Sequence, residues 1–440
     1  MLEIIVIFAF TGILMGCIAL DVSIVYALAA GYLIFFFYGL KKGHSAGEMV
    51  SMSVSGIKAV KNVLVVFLLI GMITALWRAA GTIPVIICYS SRLIRPSAFI
   101  FIAFLLNCLV SVLTGTSFGT AATMGVICMS MASAMGVAPL YVGGAVISGI
   151  FFGDRCSPVS SSALLVCELT KTDIYGNIKA MVKTALVPFL LTCALYLVLG
   201  IFSGGNGAAA GVEEMFSEEF KIHWILILPA ALILVLSVFR VNVKKTMAAS
   251  VLAAAVCCCV FQNLSAGELV RTMVFGYQAK GEVLASMMNG GGILSMVRVM
   301  VVVGLSSSYA GIFERTGLLT SMKRYIAAIG QKITSFGGIL FVSAVTSMIA
   351  CNQTLATMLT YQLCRDLEPD SERMAIHLEN SVIVMAPLVP WSIAGAVPVA
   401  AIGAPAASLV LAAYLYLVPA WNFLTEFGKR QKTVGKRHPA

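Results

Sequence analysis

Residues 97–135 read SAFIFIAFLLNCLVSVLTGTSFGTAATMGVICMSMASAM, an apolar run broken at its centre by Gly115-Thr116-Ser117-Phe118-Gly119. Inside hydrocarbon every backbone group must be bonded within the protein, so a Gly- and hydroxyl-rich break is tolerated only where it lines a cavity or is buried by other chain. A second run, 335–362, is broken in the same way by Cys351-Asn352-Gln353-Thr354. Each reads as one crossing with a polar break in it. Two further segments, 139–168 and 374–402, carry Gly and Pro at their centres: Gly153-Asp154-Arg155-Cys156-Ser157-Pro158 and Pro387-Leu388-Val389-Pro390. Proline removes a helix hydrogen bond and glycine lets the chain turn, so these two are expected to be re-entrant hairpins.

The surroundings of these four segments fix the class. Of 440 residues only 11% are charged and 60% are apolar, and the mean hydropathy is +0.99. A usual globular chain carries about a quarter charged residues, so a soluble protein is excluded, and with it most enzymes and nucleic-acid binders. Stretches of about 20 apolar residues span a bilayer. They occur at 2–20, 22–40, 60–80, 180–202, 222–240, 246–262, 293–313 and 404–422. With the two broken runs this predicts an all-α polytopic membrane protein of about ten transmembrane helices plus two re-entrant hairpins. The twelve cysteines show no Cys-x-x-Cys spacing and read as small buried hydrophobes.

That topology predicts a charge distribution. Placing the N-terminus on one side puts nineteen of the 29 Lys and Arg there, and seven on the other, among them Arg365 and Arg373. The basic side is cytoplasmic by the positive-inside rule, so both termini face inward and the chain is expected in the cell membrane. The net charge of +10 is then mostly topology, and no nucleic-acid partner is expected.

The chain is also built twice. Val63–Gly81 resembles Val299–Gly317 at an offset of 236; Ala122-Thr123-Met124 matches Ala356-Thr357-Met358 at 234; Ser148 and Pro158 match Asn380 and Pro390 at 232. The pairing of the two breaks is therefore ambiguous by about two residues. Residues 1–205 form the first repeat, 206–221 an extracellular acidic loop, 222–425 the second repeat and 426–440 a basic cytoplasmic tail. Five crossings plus a hairpin per unit force the copies to lie inverted. Paired broken helices in inverted repeats are a secondary-transporter pattern.

The breaks and tips carry the candidate site: Gly115, Thr116, Ser117, Asp154, Ser157, Ser160, Asn352, Gln353, Thr354, Glu379, Asn380, Ser381 and Arg298. Freed carbonyls, hydroxyls and amides offer hard oxygen ligands, and Thr116, Ser117, Asp154 and Asn352 are expected to hold Na+. The competing reading of the breaks is close helix packing at Gly115 and Gly119. A carboxylate near the bilayer centre costs roughly 2.5–3.5 kcal/mol on insertion scales, which singles out Asp154 and Glu379. Asp154 could instead pair with Arg155, and Glu379 could be an interface residue beside His377. Arg298 could bind a carboxylate, pair with Glu379, or snorkel to the surface.

Gly115-Thr-Ser-Phe-Gly-Thr-Ala121, Ser148–Ser160, Glu379-Asn-Ser381 and Pro387-Leu-Val-Pro-Trp391 resemble the motifs of NhaC-type Na+/H+ antiporters, in the ion transporter superfamily. The resemblance implies scaffold and transport domains, often in a homodimer, with substrate between hairpin tips and broken helices. It also implies relatives that carry amino acids or exchange malate for lactate. The family often has Asp where this chain has Ser161, and Gly-Asp-Gln-Tyr where this chain has Cys351-Asn-Gln-Thr354. Two carboxylates are thus neutral here.

Na+/H+ antiport by alternating access is the leading expectation, with Na+ and H+ as coupling ions and no other cofactor. The alternative is Na+- or H+-coupled transport of a small amino acid or carboxylate. A channel would need a charged pore ring or a filter repeat, and an enzyme a nucleophile beside a base; the sequence shows neither.

Overall fold

Backbone amides deprived of water bond best within their own helix, and the computed structural model of this chain is built from helices joined by short turns. It describes residues 2–20, 22–91, 95–203, 216, 219–239, 241–279, 281, 284–285, 288–316, 334–350 and 352–435. Asp21, Arg92, Arg240, Lys280, Cys351, most of the 206–221 loop, the basic residues of 317–333 and the last five residues lie outside the described residues.

The first half comprises α1 (Leu2–Ala19), α2 (Ile24–Lys41), α3 (Ala46–Ala59), α4 (Lys61–Ala79), α5 (Thr82–Ser91) and α6 (Pro96–Thr114). There follow α7 (Ser117–Thr120), a π turn (Ala121–Gly125), α8 (Val126–Ala134), α9 (Pro139–Cys156), α10 (Ser161–Thr170) and α11 (Ile174–Ser203). The second half has α12 (Leu228–Val238), α13 (Val243–Val260), α14 (Ala266–Phe275), α15 (Ile293–Thr316), α16 (Ser335–Ala350) and α17 (Gln353–Cys364). It ends with α18 (Ser371–Glu379), α19 (Val382–Met385), α20 (Ile393–Ile402) and α21 (Ala413–Gly435). Among the described residues the one extended pairing is the Tyr277–Gly290 bridge.

Five segments are long and apolar enough to span a bilayer: 61–79, 96–114, 117–134, 174–203 and 406–428. A sixth is the pair 371–388 and 393–402, bent by 55°. Along α11, Leu186, Leu190, Val198, Ile201 and Phe202 point outward, Phe202 with 84% of its surface exposed. An apolar face of that extent suits lipid rather than water. The fold is that of a multi-pass helical membrane protein.

The four interrupted segments reverse their expected roles. Asn107 Nδ2 donates to Cys128 Sγ at 3.4 Å, and the Thr114 and Thr120 hydroxyls lie 2.9 Å apart. Contacts across 21 residues require that α6 and the 117–134 segment lie side by side, so Gly115-Thr116 is the tip of an antiparallel pair. In the second copy the Thr346 and Thr360 hydroxyls are 2.7 Å apart, and α16 folds back onto α17 at Cys351-Asn352. Neither run is a single crossing.

The Pro-containing segments, by contrast, run on. Along α11, Asn177 meets Cys167, Met181 and Thr184 meet Arg155, and Tyr196 meets Ser148 and Gly144. The order is monotonic, so 139–170 is one traverse interrupted at Ser157–Ser160 and not a hairpin. Beside α16, the Phe336 and His377 ring centroids lie 5.2 Å apart, Ser343 Oγ meets Ser381 Oγ at 2.9 Å, and the Trp391 indole donates to the Met348 carbonyl at 2.9 Å. Residues 371–402 therefore run parallel to α16 and past its end.

This reversal moves one loop. Arg373 Nη2 reaches Glu368 Oε2 and Glu426 Oε1, each at 3.3 Å, and the Phe336 backbone N–H donates to Glu426 Oε2 at 3.0 Å. The 365–373 loop thus shares its end of the molecule with the C-terminal helix. Counted with the opposite side in the ten-crossing arrangement, Arg373 shares the end of the molecule reached by Glu426 of α21.

Cysteines placed at 346 and 360 in an otherwise cysteine-free chain are expected to form a disulfide with mild oxidant. In a continuous helix those positions would stand about 21 Å apart, and the mobility shift on non-reducing gels would be absent.

Candidate functional site

Close backbone approach sets the site. A Cβ on Gly149 would lie 2.7 Å from the Phe104 carbonyl oxygen, and one on Gly153 would strike the Ser111 backbone. Helix α9 therefore lies against α6 with glycines at the points of closest approach, and its C-terminal turn arrives at the 115–116 tip. Gly115 turns the chain there at φ +64°, and a Cβ would come within 2.8 Å of the Val159 carbonyl. Glycine is required twice over, by conformation and by space.

The residue after each tip is an N-cap. Thr116 (φ −144°, ψ 125°) accepts from the Gly119 N–H at 3.4 Å, and Asn352 (φ −145°, ψ 127°) accepts from the Thr354 N–H at 2.9 Å. The two tips thus pair at the offset of 236. The first copy then carries the extra residues that bring the Ala-Thr-Met triplets to 234, and the π turn lies there, as an insertion into a helix produces. At the breaks in the traverses, Ser160 caps α10 by accepting from the Ser162 and Ala163 N–H groups, and Ser392 caps α20 by accepting from the Ala394 N–H. Ser160 Oγ also donates to the Asp154 carbonyl, and Ser157 Oγ donates to the Val112 carbonyl at 2.7 Å.

Asp154, 3% exposed, is where the elements converge. Its Oδ2 accepts from Ser162 Oγ at 3.0 Å and from Gln353 Nε2 at 3.2 Å, and the Ser117 backbone N–H is directed at the same carboxylate. Gln353 also donates to the Ile383 carbonyl at 3.1 Å. One carboxylate is thus held by the first tip, the second tip and both sides of its own break.

Arg155, fully buried, turns away from Asp154. Its Nε donates to the Glu379 carbonyl at 3.1 Å, Nη1 to Tyr414 Oη at 3.1 Å, and Nη2 to Thr184 Oγ1 at 3.2 Å and to Asn380 Oδ1. The adjacent pair is therefore no ion pair, and the guanidinium ties α9 to α11, α18 and α21. Glu379 is equally buried, and neither carboxylate oxygen has a hydrogen-bond partner among the described residues. Arg155 and Asp154 lie within its Coulombic range.

The remaining candidates are placed as follows. Asn380 binds Arg155; Ser381 bonds Ser343 and the His377 carbonyl; Thr116 and Asn352 cap their own helices. Thr354 is exposed. Arg298 is exposed as well, with Nη2 3.5 Å from Ser23 Oγ, and makes no contact with Glu379. Of the four expected Na+ ligands only Ser117 and Asp154 meet. Gln353 and Ser162 complete the group, the latter overlooked although the second residue after an N-cap faces back toward the preceding helix end.

Arg155→Met takes the guanidinium donors from the buried Glu379 carbonyl and from the Asn380 amide oxygen, which keeps only the Thr184 hydroxyl at 3.4 Å. Each unsatisfied group costs about 1–3 kcal/mol, so a fall in the unfolding temperature of detergent-solubilised protein is expected. Arg155→Lys is expected to recover only part of it, since an ammonium cannot reach all these acceptors. An unchanged melting profile for Arg155→Met contradicts the bridging role.

Compared with known proteins, the chain matches the model of the Na+/H+ antiporter family over residues 1–167 and 149–424. It is 27% identical to the Na+/H+ antiporter NhaC of Bacillus subtilis, covering 86% of each chain. It is 27% identical to the malate-2H+/Na+-lactate antiporter of the same organism, over 85% of this chain and 82% of that one. The arginine/ornithine antiporter ArcD of Halobacterium salinarum is 25% identical over 81% of this chain and 75% of its own. With matching segments that run from the first residue to the last long helix and include every element of the Asp154 cluster, the chain belongs to the Na+/H+ antiporter family.

Proposed function

We propose that this protein exchanges Na+ for H+ across the cytoplasmic membrane by alternating access, with Asp154 as the carboxylate for which the two cations compete. The observation that carries the reading is the convergence of both tips on one buried carboxylate, with a second, unpartnered carboxylate nearby.

An isolated carboxylate costs too much to bury ionised, so it takes a proton or a metal cation. At Asp154 the Ser162 hydroxyl is a hard oxygen ligand, and rotation of the Gln353 amide exchanges its NH2 for Oε1. Na+ entering this group displaces the proton. Glu379, with no donor on either oxygen among the described residues, is a second buried carboxylate beside this group.

The same geometry supports a topology for this reading. The first antiparallel pair, 96–134, enters from one end of the molecule, and the second, 335–364, from the other. The traverses 139–170 and 371–402 run in opposite directions between them. Matching N-caps at Thr116 and Asn352, and at Ser160 and Ser392, support two inverted repeats, with re-entrant pairs at 96–134 and 335–364 and broken crossings at 139–170 and 371–402. With Arg365 and Arg373 moved to the end bearing the C-terminal tail, the basic bias of that end increases, which supports a cytoplasmic C-terminus.

A second reading, coupled transport of a small amino acid or carboxylate, draws on the printed activities of two relatives. At this site it lacks a free cation, because Arg155 is saturated by protein acceptors.

In proteoliposomes loaded with a pH dye, external Na+ is expected to alkalinise the lumen, and Asp154→Asn to abolish the signal while folding is retained. Because a proton and Na+ compete for the same oxygens, the Na+ concentration giving half the maximal rate is expected to rise as pH falls. No response beyond empty liposomes would sink the reading.

A further inference from the structure

Trp77, anchored through its indole N–H to Ser250 Oγ at 3.0 Å, is followed by a second inward-facing arginine. Arg78 Nη1 donates to the Thr74 carbonyl at 2.7 Å, but its Nε is buried with no partner, and no carboxylate of the described residues pairs with it. The guanidinium lines a cavity of about 280 Å3 whose wall also holds Ser130, Ser133, Asn289 and Gly291.

Two sets of elements bound this cavity. Arg78 on α4 and the loop leading into α15 form one wall, while α8, Pro139 and the C-terminal end of α20, which carry or flank the elements of the Asp154 cluster, form the other. Gly291, at φ +75°, packs so closely on α4 that a Cβ would lie 2.6 Å from the Ala75 nitrogen, which fixes the loop beside the arginine. Asn289 Oδ1 accepts from the Ala279 N–H at 2.7 Å, leaving its NH2 as a donor. Ser130, 6% exposed, lines the same cavity.

A nearly buried cation with unspent donors needs a counter-anion. A guanidinium presents its N–H groups in a planar fork that matches a carboxylate, and a cavity at the small end of the ligand-pocket range suits a solute of few carbons. We propose that this cavity is a binding site for a small organic carboxylate, held by Arg78 with Ser130 and the Asn289 amide. Bound between the two walls, such an anion favours whichever arrangement keeps them together, and so biases the transport cycle. The site shares no lining residue with the Asp154 cluster, and stands or falls independently of cation exchange there.

The test is thermal unfolding of the purified full chain titrated with sodium L-lactate or sodium L-malate, against sodium chloride and sodium phosphate at equal ionic strength and Na+ concentration. Saturable stabilisation by at least one carboxylate beyond both inorganic salts is expected. In Arg78→Gln its half-saturation should rise tenfold or more, whereas in Asp154→Asn saturable stabilisation by the carboxylate should persist. If Arg78→Gln does not fold, Ser130→Val, which narrows the cavity and leaves the charge, should weaken the same response. The proposal is overturned if neither carboxylate exceeds chloride, if phosphate stabilises more than both, or if the foldable cavity variant responds as the wild type does.

Discussion

The arrangement depends on one buried guanidinium. Arg155 sits where α9 stops, and its donors are spent on the Glu379 carbonyl, Asn380, Thr184 and Tyr414, groups from three other helices. A cation this deep is tolerated only when acceptors surround it, so the helices that supply those acceptors cannot drift without exposing it. Its neighbour Asp154 is thereby turned the other way, into the group formed by Ser162, Gln353 and Ser117. Two adjacent residues of opposite charge do different work: one fixes the frame, the other faces the ions.

The two copies share backbone design but not charge. Thr116 and Asn352 hold the same φ and ψ, and Ser160 and Ser392 cap the helices after the two breaks. Asp154 and Glu379 have no acidic counterparts at the offset of 232, where Ala386 and Ile147 stand. The neutral residues noted against the family pattern fit this division. Asparagine caps a helix as well as aspartate does, so Asn352 keeps the geometry of the second tip while removing its charge. Ser161 is exposed at the start of α10 and stands outside the Asp154 group.

Much of the site was legible along the chain. Glycine, proline and hydroxyl residues in long apolar runs marked all four interruptions, and the scarcity of internal carboxylates singled out Asp154 and Glu379. A Pro-containing break does not by itself reverse a chain, and a Gly-Thr-Ser break can. Ser157-Pro158-Val159-Ser160 ends one helix and caps the next in nearly the same direction of travel, while Gly115 in the left-handed region turns the chain back. Arg298 faces outward, which fits the surface position among the readings open for it; its place in an apolar span says nothing about which side of the helix it occupies.

The sequence by itself determined that this is a helical membrane protein, where its helices stop, and which residues cap them, because those outcomes rest on local backbone physics and on the composition of each segment. Only the tertiary structure decided which way the chain goes after each stop and which polar groups meet there. Direction is set by contacts between residues far apart, such as Thr346 with Thr360 and Gly153 with the Ser111 backbone, and a helix of given composition packs equally well in either sense until its neighbours are in place.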